Sequence, residues 1–227
     1  MSEQFSILID SRTRFETSEP GGVWLSMPTT KEQLHEAMQR VGITADNPQD
    51  FLINGFMNTE QQPFDVPLPV IQSAGLDELN YLGNLLSMQR DEDRNKFTAA
   101  VTLGERAGNI KDLINLAQNL DCYWLYPTVQ NEEDYGYYLI DELDELELPE
   151  EAKKYFMYED YGRDAAINDG GRFTEQGYIP QSLRRGLPLK IFIPVSISTT
   201  PKTLRDTAFP FPTWLCFIRT GRTPPTM

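Results

Sequence analysis

The stretch LIDELDELELPEE at 139–151 constrains the fold of this chain more than any other feature. It holds seven carboxylates and no Lys or Arg. Like charges on adjacent helical turns repel each other, and a high net charge works against the compact state. Leu139, Leu143 and Leu146 recur at spacings of four and three, which predicts a helical turn that buries the leucines and exposes the acids. The stretch is therefore either an ordinary solvated face or a surface whose negative field is itself functional.

Charge is distributed unevenly along the chain. The 227 residues have a formal charge of -14, and 40% of them are hydrophobic, which is enough for a packed core. Residues 1–180 hold 33 acids against 13 bases, whereas 181–227 hold one acid against seven bases. Within 121–152 there are eleven acids and no base. This balance argues against direct binding to nucleic acid or to an anionic membrane, because both need Lys and Arg to neutralise phosphates. It favours a basic partner.

Cysteine usage and the N-terminus bear on the compartment. Cys122 and Cys216 are too few for a disulfide framework or a zinc site. The sequence shows neither a signal-peptide pattern nor a run of about 18 apolar residues. A cytoplasmic protein without a membrane span is the expectation.

The apolar periodicity changes along the chain, which predicts an α+β fold of three small units. Residues 1–60 are predicted to form a small α+β unit with strands at 5–9, 21–28 and 50–58, the last interrupted at Gly55. Its helix begins after Thr30, with Gln33 in the capping-box position. Residues 61–120 combine a proline-rich linker at 61–70 with a helical unit of three short helices over 71–120. Residues 121–180 form an acidic α+β unit.

Within this third unit, the pattern predicts strands at 122–129 and 134–140 and a small sheet closed by 171–179. A helix is expected to begin at Pro149, with acids in its first turn, where the helix dipole favours them. The inner face of that helix is predicted to consist of Ala152, Tyr155 and Phe156. Beyond the unit, the extension 181–227 is basic, carries seven prolines and is predicted to be poorly ordered.

No sequence motif indicates catalysis. His35 is the only histidine, and it points away from the apolar stripe of its helix. The acids at 91–95 lack the glycine and distal Glu of a calcium loop, and no phosphate loop or nucleophile elbow is present. We expect no metal and no cofactor. An enzyme stays the alternative from another class, and it would have to use His35 or Cys122.

Tyrosines are frequent in the third unit. They fit either a packed core with its rim or a protein–protein interface, where aromatic residues are enriched. These tyrosines are Tyr123, Tyr126, Tyr135, Tyr137, Tyr138, Tyr155, Tyr158 and Tyr161.

A motif next to the acidic stretch resembles the ArdA antirestriction protein family. Residues 148–168, LPEEAKKYFMYEDYGRDAAIN, and then GRFTEQGYI at 171–179 match that family's Leu-Pro, aromatic, Tyr-Glu-x-Tyr-Gly-Arg-Asp and Gly-Tyr-Ile pattern. GVWLSMP at 22–28 and LDELNYLGNLL at 76–86 are similar to its first-domain strand and a helix. The resemblance covers about 1–180. The matching residues are Leu148, Pro149, Tyr155, Phe156, Tyr158, Glu159, Tyr161, Gly162, Arg163 and Asp164.

The resemblance implies an elongated, three-unit DNA mimic encoded by a phage, plasmid or conjugative element. Such proteins are homodimers joined through the C-terminal unit, and they occupy the DNA-binding groove of type I restriction-modification enzymes. The motif would be structural or part of the dimer interface, with Arg163 pairing near Glu159 and Asp160. The extension 181–227 has no counterpart in the family pattern. It is a disordered extension, a partner-binding arm or unrelated coding sequence.

The leading hypothesis is therefore a non-enzymatic DNA mimic that inhibits type I restriction-modification enzymes in a bacterial cytoplasm. B-DNA carries one negative charge per about 1.7 Å of its axis, a density that carboxylates on successive turns approximate. The alternative target is another nucleic-acid-binding protein, such as a CRISPR effector or a repressor. The acids expected to face the partner are Glu132, Glu133, Asp134, Asp141, Glu142, Asp144, Glu145, Glu147, Glu150 and Glu151.

Overall fold

The computed structural model describes most of the chain as far as Gln181. The described residues are 3–17, 21–44, 46–47, 50–59, 64, 66–104 and 107–181. The basic extension beyond Gln181, including Cys216, lies outside them. The elements follow in the order β1 (Phe5–Ser11), α1 (Arg12–Glu16), β2 (Val23–Met27), α2 (Lys31–Arg40), β3 (Phe51–Asn58), α3 (Leu68–Gln72), α4 (Leu76–Ser87), α5 (Asp91–Leu103), α6 (Ile110–Gln118), α7 (Glu132–Tyr137), α8 (Glu150–Lys153), α9 (Tyr158–Asp169), β4 (Arg172–Thr174) and β5 (Gly177–Ile179).

An antiparallel sheet in the order β2–β1–β3 forms the first part of the fold. Phe5, Ile7 and Ile9 alternate along β1 and are fully buried, as the period of two for a strand requires. The register with β3 shifts between Leu8 and Ile9, opposite the expected interruption at Gly55. The three strands predicted over 1–60 are confirmed.

Helix α2 begins as its sequence predicts. The Thr30 hydroxyl accepts a hydrogen bond from the Gln33 amide at 3.3 Å, and the Gln33 side chain accepts one from the Thr30 amide at 3.0 Å. This reciprocal pair satisfies two amides that the first helical turn leaves without partners.

One hydrophobic core joins the sheet to helices α3 to α6. It contains Ile7 from the sheet, Leu82 from α4 and Leu113 from α6. A methyl group on Gly83 of α4 would lie 3.0 Å from the backbone nitrogen of Pro28, so α4 packs directly against the end of β2. The predicted helices are confirmed, but α3 begins at Leu68, inside the predicted linker, because Val70 and Ile71 pack into this core. The α+β class is confirmed; the division into three units stays a prediction.

The strand predicted at 134–140 is wrong. These residues belong to α7 and to a single π-helical segment, Tyr138–Glu142, that continues it. The Asn131 side chain accepts a hydrogen bond from the Asp134 amide at 2.9 Å and so caps α7, and acids fill its first turn. Capping and packing against α9 override the strand propensity of the aromatic residues. The strand expected at 122–129 is reduced to one bridge, between Tyr126 and Tyr178 of β5.

Burial of the three leucines in the acidic stretch is only partly as predicted. Leu139 is buried, but Leu143 and Leu146 are 50% and 40% exposed. The helix ends at Glu142, and Asp144 turns the chain with a positive φ of 49°. The leucines after that turn no longer share one helical face.

The helix near Pro149 is present, with Pro149 as its N-terminal cap residue, but its predicted inner face is wrong. Helix α8 ends at Lys153, so it is too short to bury an apolar face. Ala152 and Tyr155 are exposed, and Phe156 is half-buried. The sheet predicted at 171–179 is confirmed as the hairpin of β4 and β5.

Candidate interaction surface

Helices α7 and α9 cross with their backbones in contact. Any side chain on Gly136 would overlap the carbonyl oxygen of Tyr158, and any side chain on Gly162 would overlap that of Glu132. Glycine is thus required at both positions by close approach of the two helices. The crossing places the first turn of α7, which carries acids, next to the first turns of α9, which carry more.

A layer of aromatic side chains packs between this helix pair and the hairpin of β4 and β5. The rings of Tyr135 and Tyr178 lie 4.2 Å apart, and those of Phe173 and Tyr178 lie 4.8 Å apart. The Tyr135 hydroxyl donates a hydrogen bond to Asp169 at the end of α9. Burial, followed by the hydrogen bond to Asp169, raises the Tyr135 pKa, and burial together with the charge of Asp169 raises the Tyr178 pKa to about 12. Both phenols are therefore neutral, and the aromatic layer carries no charge of its own.

The predicted partner-binding acids differ in their exposure. Glu132 and Asp134 are half-buried, and an oxygen of Asp134 accepts a hydrogen bond from the Gln130 amide at 3.0 Å. The other eight are exposed: Glu133, Asp141, Glu142, Asp144, Glu145, Glu147, Glu150 and Glu151.

Two side chains contact three of the acids between Asp141 and Glu151. Lys153 Nζ lies 3.0 Å from Asp141 Oδ1 and 3.2 Å from Glu150 Oε1. The Tyr161 hydroxyl donates to Glu145 Oε2 at 2.9 Å. Hydrogen bonds to the carboxylates of Asp141 and Glu150 raise the pKa of Lys153, which stays charged. The other four acids from Asp141 to Glu151 are exposed: Glu142, Asp144, Glu147 and Glu151.

The YEDYGRD motif forms the first two turns of α9, and its residues divide between packing and surface. Tyr158 is buried and stacks on Tyr137 with ring centroids 4.0 Å apart. Phe156 meets both Tyr158 and Tyr161 edge-on. Of the charged members, Glu159 and Asp164 are exposed.

Arg163, the base within the motif, pairs with Asp160 of the same helix. A hydrogen bond to Asp160 raises the pKa of Arg163. This contact fits the local structural role expected from the sequence, although the two side chains are half-exposed.

The tyrosines are divided between the core, its rim and the surface; the interface role stays a prediction. Tyr123, Tyr135 and Tyr158 are buried, and Tyr126, Tyr138 and Tyr161 are half-buried at the rim. Two are exposed, Tyr137 and Tyr155, the latter 87% so. Met157, two residues after Tyr155, is also exposed, at 67%.

Possible catalytic groups stay apart from this surface. His35 is exposed on α2, as predicted, and its Nε2 lies 2.9 Å from the Gln39 side chain. Cys122 follows α6 and is half-buried. Within the described ranges, the acids, histidine and cysteine form no cluster that could hold a metal ion. No helix among the same residues is long and apolar enough to cross a membrane.

Sequence reasoning missed several residues that shape the surface. Gly136 was assigned to a strand, whereas it is the helix-crossing partner of Gly162. Lys153 belongs to no predicted site, although it is the first base after the eleven acids of 121–152. That position in the charge pattern was a signal for an ion pair back to the acids.

The α+β fold and the run of exposed carboxylates from Asp141 to Glu151 define the class of a small acidic α+β protein. The chain belongs to the ArdA family of antirestriction proteins, whose model matches residues 8–180. No curated protein sequence matches the chain significantly. Membership of this family makes the chain an antirestriction protein. The family is one of inhibitors and is not a known enzyme family. It implies interaction with restriction enzymes. The resemblance seen in the sequence is confirmed.

Proposed function

We propose that this protein inhibits type I restriction-modification enzymes by occupying their DNA-binding groove as a mimic of duplex DNA. The exposure of eight of the ten predicted acids is the observation that carries the proposal. In the segment from Asp141 to Glu151, the carboxylates follow each other closely along the chain. Their summed field favours a groove lined with Lys and Arg.

The packing beneath the acidic surface supports this role. A charged surface binds more tightly when its groups are already ordered, because association then costs less conformational entropy. The glycine crossing of α7 and α9 and the aromatic layer beneath it provide that order. The compartment that fits such a role is the bacterial cytoplasm, where the target acts on DNA.

We also propose that the protein acts as a homodimer joined through its C-terminal unit. Tyr155 and Met157, two residues apart in the chain, are 87% and 67% exposed, and exposed large apolar side chains can mark a protein–protein contact. A double Tyr155→Ser, Met157→Ser variant is expected to sediment as a monomer at concentrations where wild type is a dimer. Met88→Ser, at another exposed methionine on the end of α4, is the control. Equal sedimentation of all three proteins would argue against this interface.

The plating efficiency of unmodified phage on a type I restricting host tests the main proposal. Expression of the wild-type protein is expected to raise plating, and a variant with all ten acids changed to Asn or Gln is expected not to. Glu142→Gln alone is the control, because a field summed over many charges changes little when one is removed. The far-ultraviolet circular dichroism of the variant must match wild type.

Two results would contradict the main proposal. If the neutral variant protects phage as well as wild type does, charge mimicry is wrong. If wild type leaves plating unchanged but captures a CRISPR effector or a repressor from the host, the acidic surface serves that partner instead. Purified wild type should also lose affinity for the restriction enzyme as salt rises, because screening weakens exposed charges.

A further inference from the structure

The segment that joins α7 to α8, residues 143–149, is an acidic loop with a defined conformation. It contains Asp144, Glu145 and Glu147, all of them exposed. Its two ends are fixed by helices, since α7 and its π-helical continuation end at Glu142 and α8 begins at Glu150. Such a loop would disperse its charges if nothing held its interior, because the carboxylates repel each other.

Lys153 connects the two ends of the acidic loop. Its ammonium lies 3.0 Å from the carboxylate of Asp141, just before the loop, and 3.2 Å from that of Glu150, just after it. The Lys153 side chain is 22% exposed, less than either partner. The Lys153 ammonium therefore links the two ends of the acidic loop.

The middle of the acidic loop is held separately. The Glu145 amide donates a hydrogen bond to the Leu139 carbonyl oxygen at 3.0 Å, which ties the loop back to the buried end of the helix. The carboxylate of Glu145 accepts the hydrogen bond of the Tyr161 hydroxyl from α9. The YEDYGRD motif thus reaches the acidic loop through one of its tyrosines.

We propose that Lys153 and Tyr161 are positioning residues that hold the acidic loop in the arrangement that the restriction enzyme binds. The proposal rests on the proposed function and assigns these two residues a role within it. Holding the loop before binding removes the entropic cost of ordering it in the complex. Lys153 thereby aids an acidic surface even though its own charge has the opposite sign.

The sign of that charge makes the proposal testable. Replacing Lys153 by Gln makes the protein one charge more negative. If the summed field alone determined binding, Lys153→Gln would bind a basic groove better than wild type. If Lys153 positions the loop, the same variant binds worse.

Lys154→Gln is the matched control, because it makes the same change of charge at the next, exposed residue. The assay is competition between the protein and a fluorescent DNA duplex for a purified type I enzyme. Lys153→Gln is expected to need roughly threefold more protein for half-displacement than Lys154→Gln, the size expected for loss of one ion-pair arrangement. Lys153→Arg keeps the cation and is expected to restore wild-type competition. Tyr161→Phe, which leaves the charge unchanged, is expected to shift competition in the same direction as Lys153→Gln.

Hydrogen exchange at the Glu145 amide gives a second, binding-independent measurement. Exchange there is expected to be faster in Lys153→Gln than in Lys154→Gln, with equal melting temperatures. Competition by Lys153→Gln that equals or exceeds that of Lys154→Gln overturns the proposal, as does equal exchange in the two variants. If wild type itself displaces no DNA, the proposed function fails, and the positioning of the loop is decided by the exchange rates alone.

Discussion

Gly162 of α9 lies so close to Gly136 of α7 that a methyl group on residue 162 would come within 2.6 Å of the Gly136 amide nitrogen. The glycine of the YEDYGRD motif is therefore a packing requirement. It lets two short helices form one rigid pair, although each alone would be too short to be stable in water. The acids on both helices depend on this contact for their positions.

Substitution of Gly162 by Ala is expected to destabilise the C-terminal part of the fold. The new methyl group meets backbone atoms, which cannot rotate away, so the expected loss in the free energy of unfolding is about 3 kcal/mol. Urea unfolding followed by circular dichroism measures it. Gly108→Ala is the control, because a methyl group there would have an ordinary contact of 3.6 Å to Asp112. Equal stability of the two variants would contradict the helix crossing.

Substitution of Thr30 by Ala removes the cap of α2. The substitution removes the hydroxyl oxygen that accepts the hydrogen bond of the Gln33 amide, whereas the backbone amide of residue 30 can still donate to the Gln33 side chain. The expected loss is about 1 kcal/mol of unfolding free energy. Thr30→Ser retains the hydroxyl and should keep most of the stability in the same urea titration. A loss for Ser as large as that for Ala would mean that the hydroxyl contributes nothing.

Alkaline pH is expected to destabilise the protein through its buried phenols. The Tyr178 pKa is raised from 10.0 to about 12, chiefly by burial, so the unfolded state ionises first. The contribution of Tyr178 is fully present below about pH 10 and decreases as pH rises toward about 12. Tyr178→Phe is expected to lose less stability between pH 9 and 11.5 than wild type, measured by urea midpoints. Identical profiles for these two proteins would rule out this source of pH dependence.

The left-handed backbone at Asp144 predicts which substitutions the acidic loop tolerates. Its φ of 49° is a conformation that Gly, Asn and Asp adopt and β-branched residues avoid. Asp144→Val is expected to lower the free energy of unfolding by about 1–2 kcal/mol. Thermal unfolding followed by circular dichroism measures this loss. Asp144→Asn, which also lacks the charge, should stay near wild type in the same measurement. If Val and Asn behave alike, the turn does not impose this backbone conformation.

Features with a local cause were predictable from the sequence. The alternation of Phe5, Ile7 and Ile9 defines β1 because a strand places every second side chain on one face. The cap of α2 depends on residues three positions apart. The YEDYGRD motif also sufficed to identify the family, because its spacing is specific.

Features that depend on contacts between distant residues were not predictable in this way. The aromatic run at 134–140 has strand propensity, yet it is helical because Gly136 meets a helix more than twenty residues later in the chain. The helical spacing of leucines continues in the sequence to Leu143 and Leu146, although the helix ends at Glu142. Hydrophobic spacing alone does not show where a helix stops.

The sequence by itself determined that this protein carries its negative charge in a dense run, because counting charges needs no coordinates. It also determined the family, through the order of residues in one motif. Only the tertiary structure decided which carboxylates are exposed and which are held by Lys153 and Tyr161. The physical reason is that a field depends on where charges lie in space, and that arrangement is fixed by helices whose backbones touch at Gly136 and Gly162.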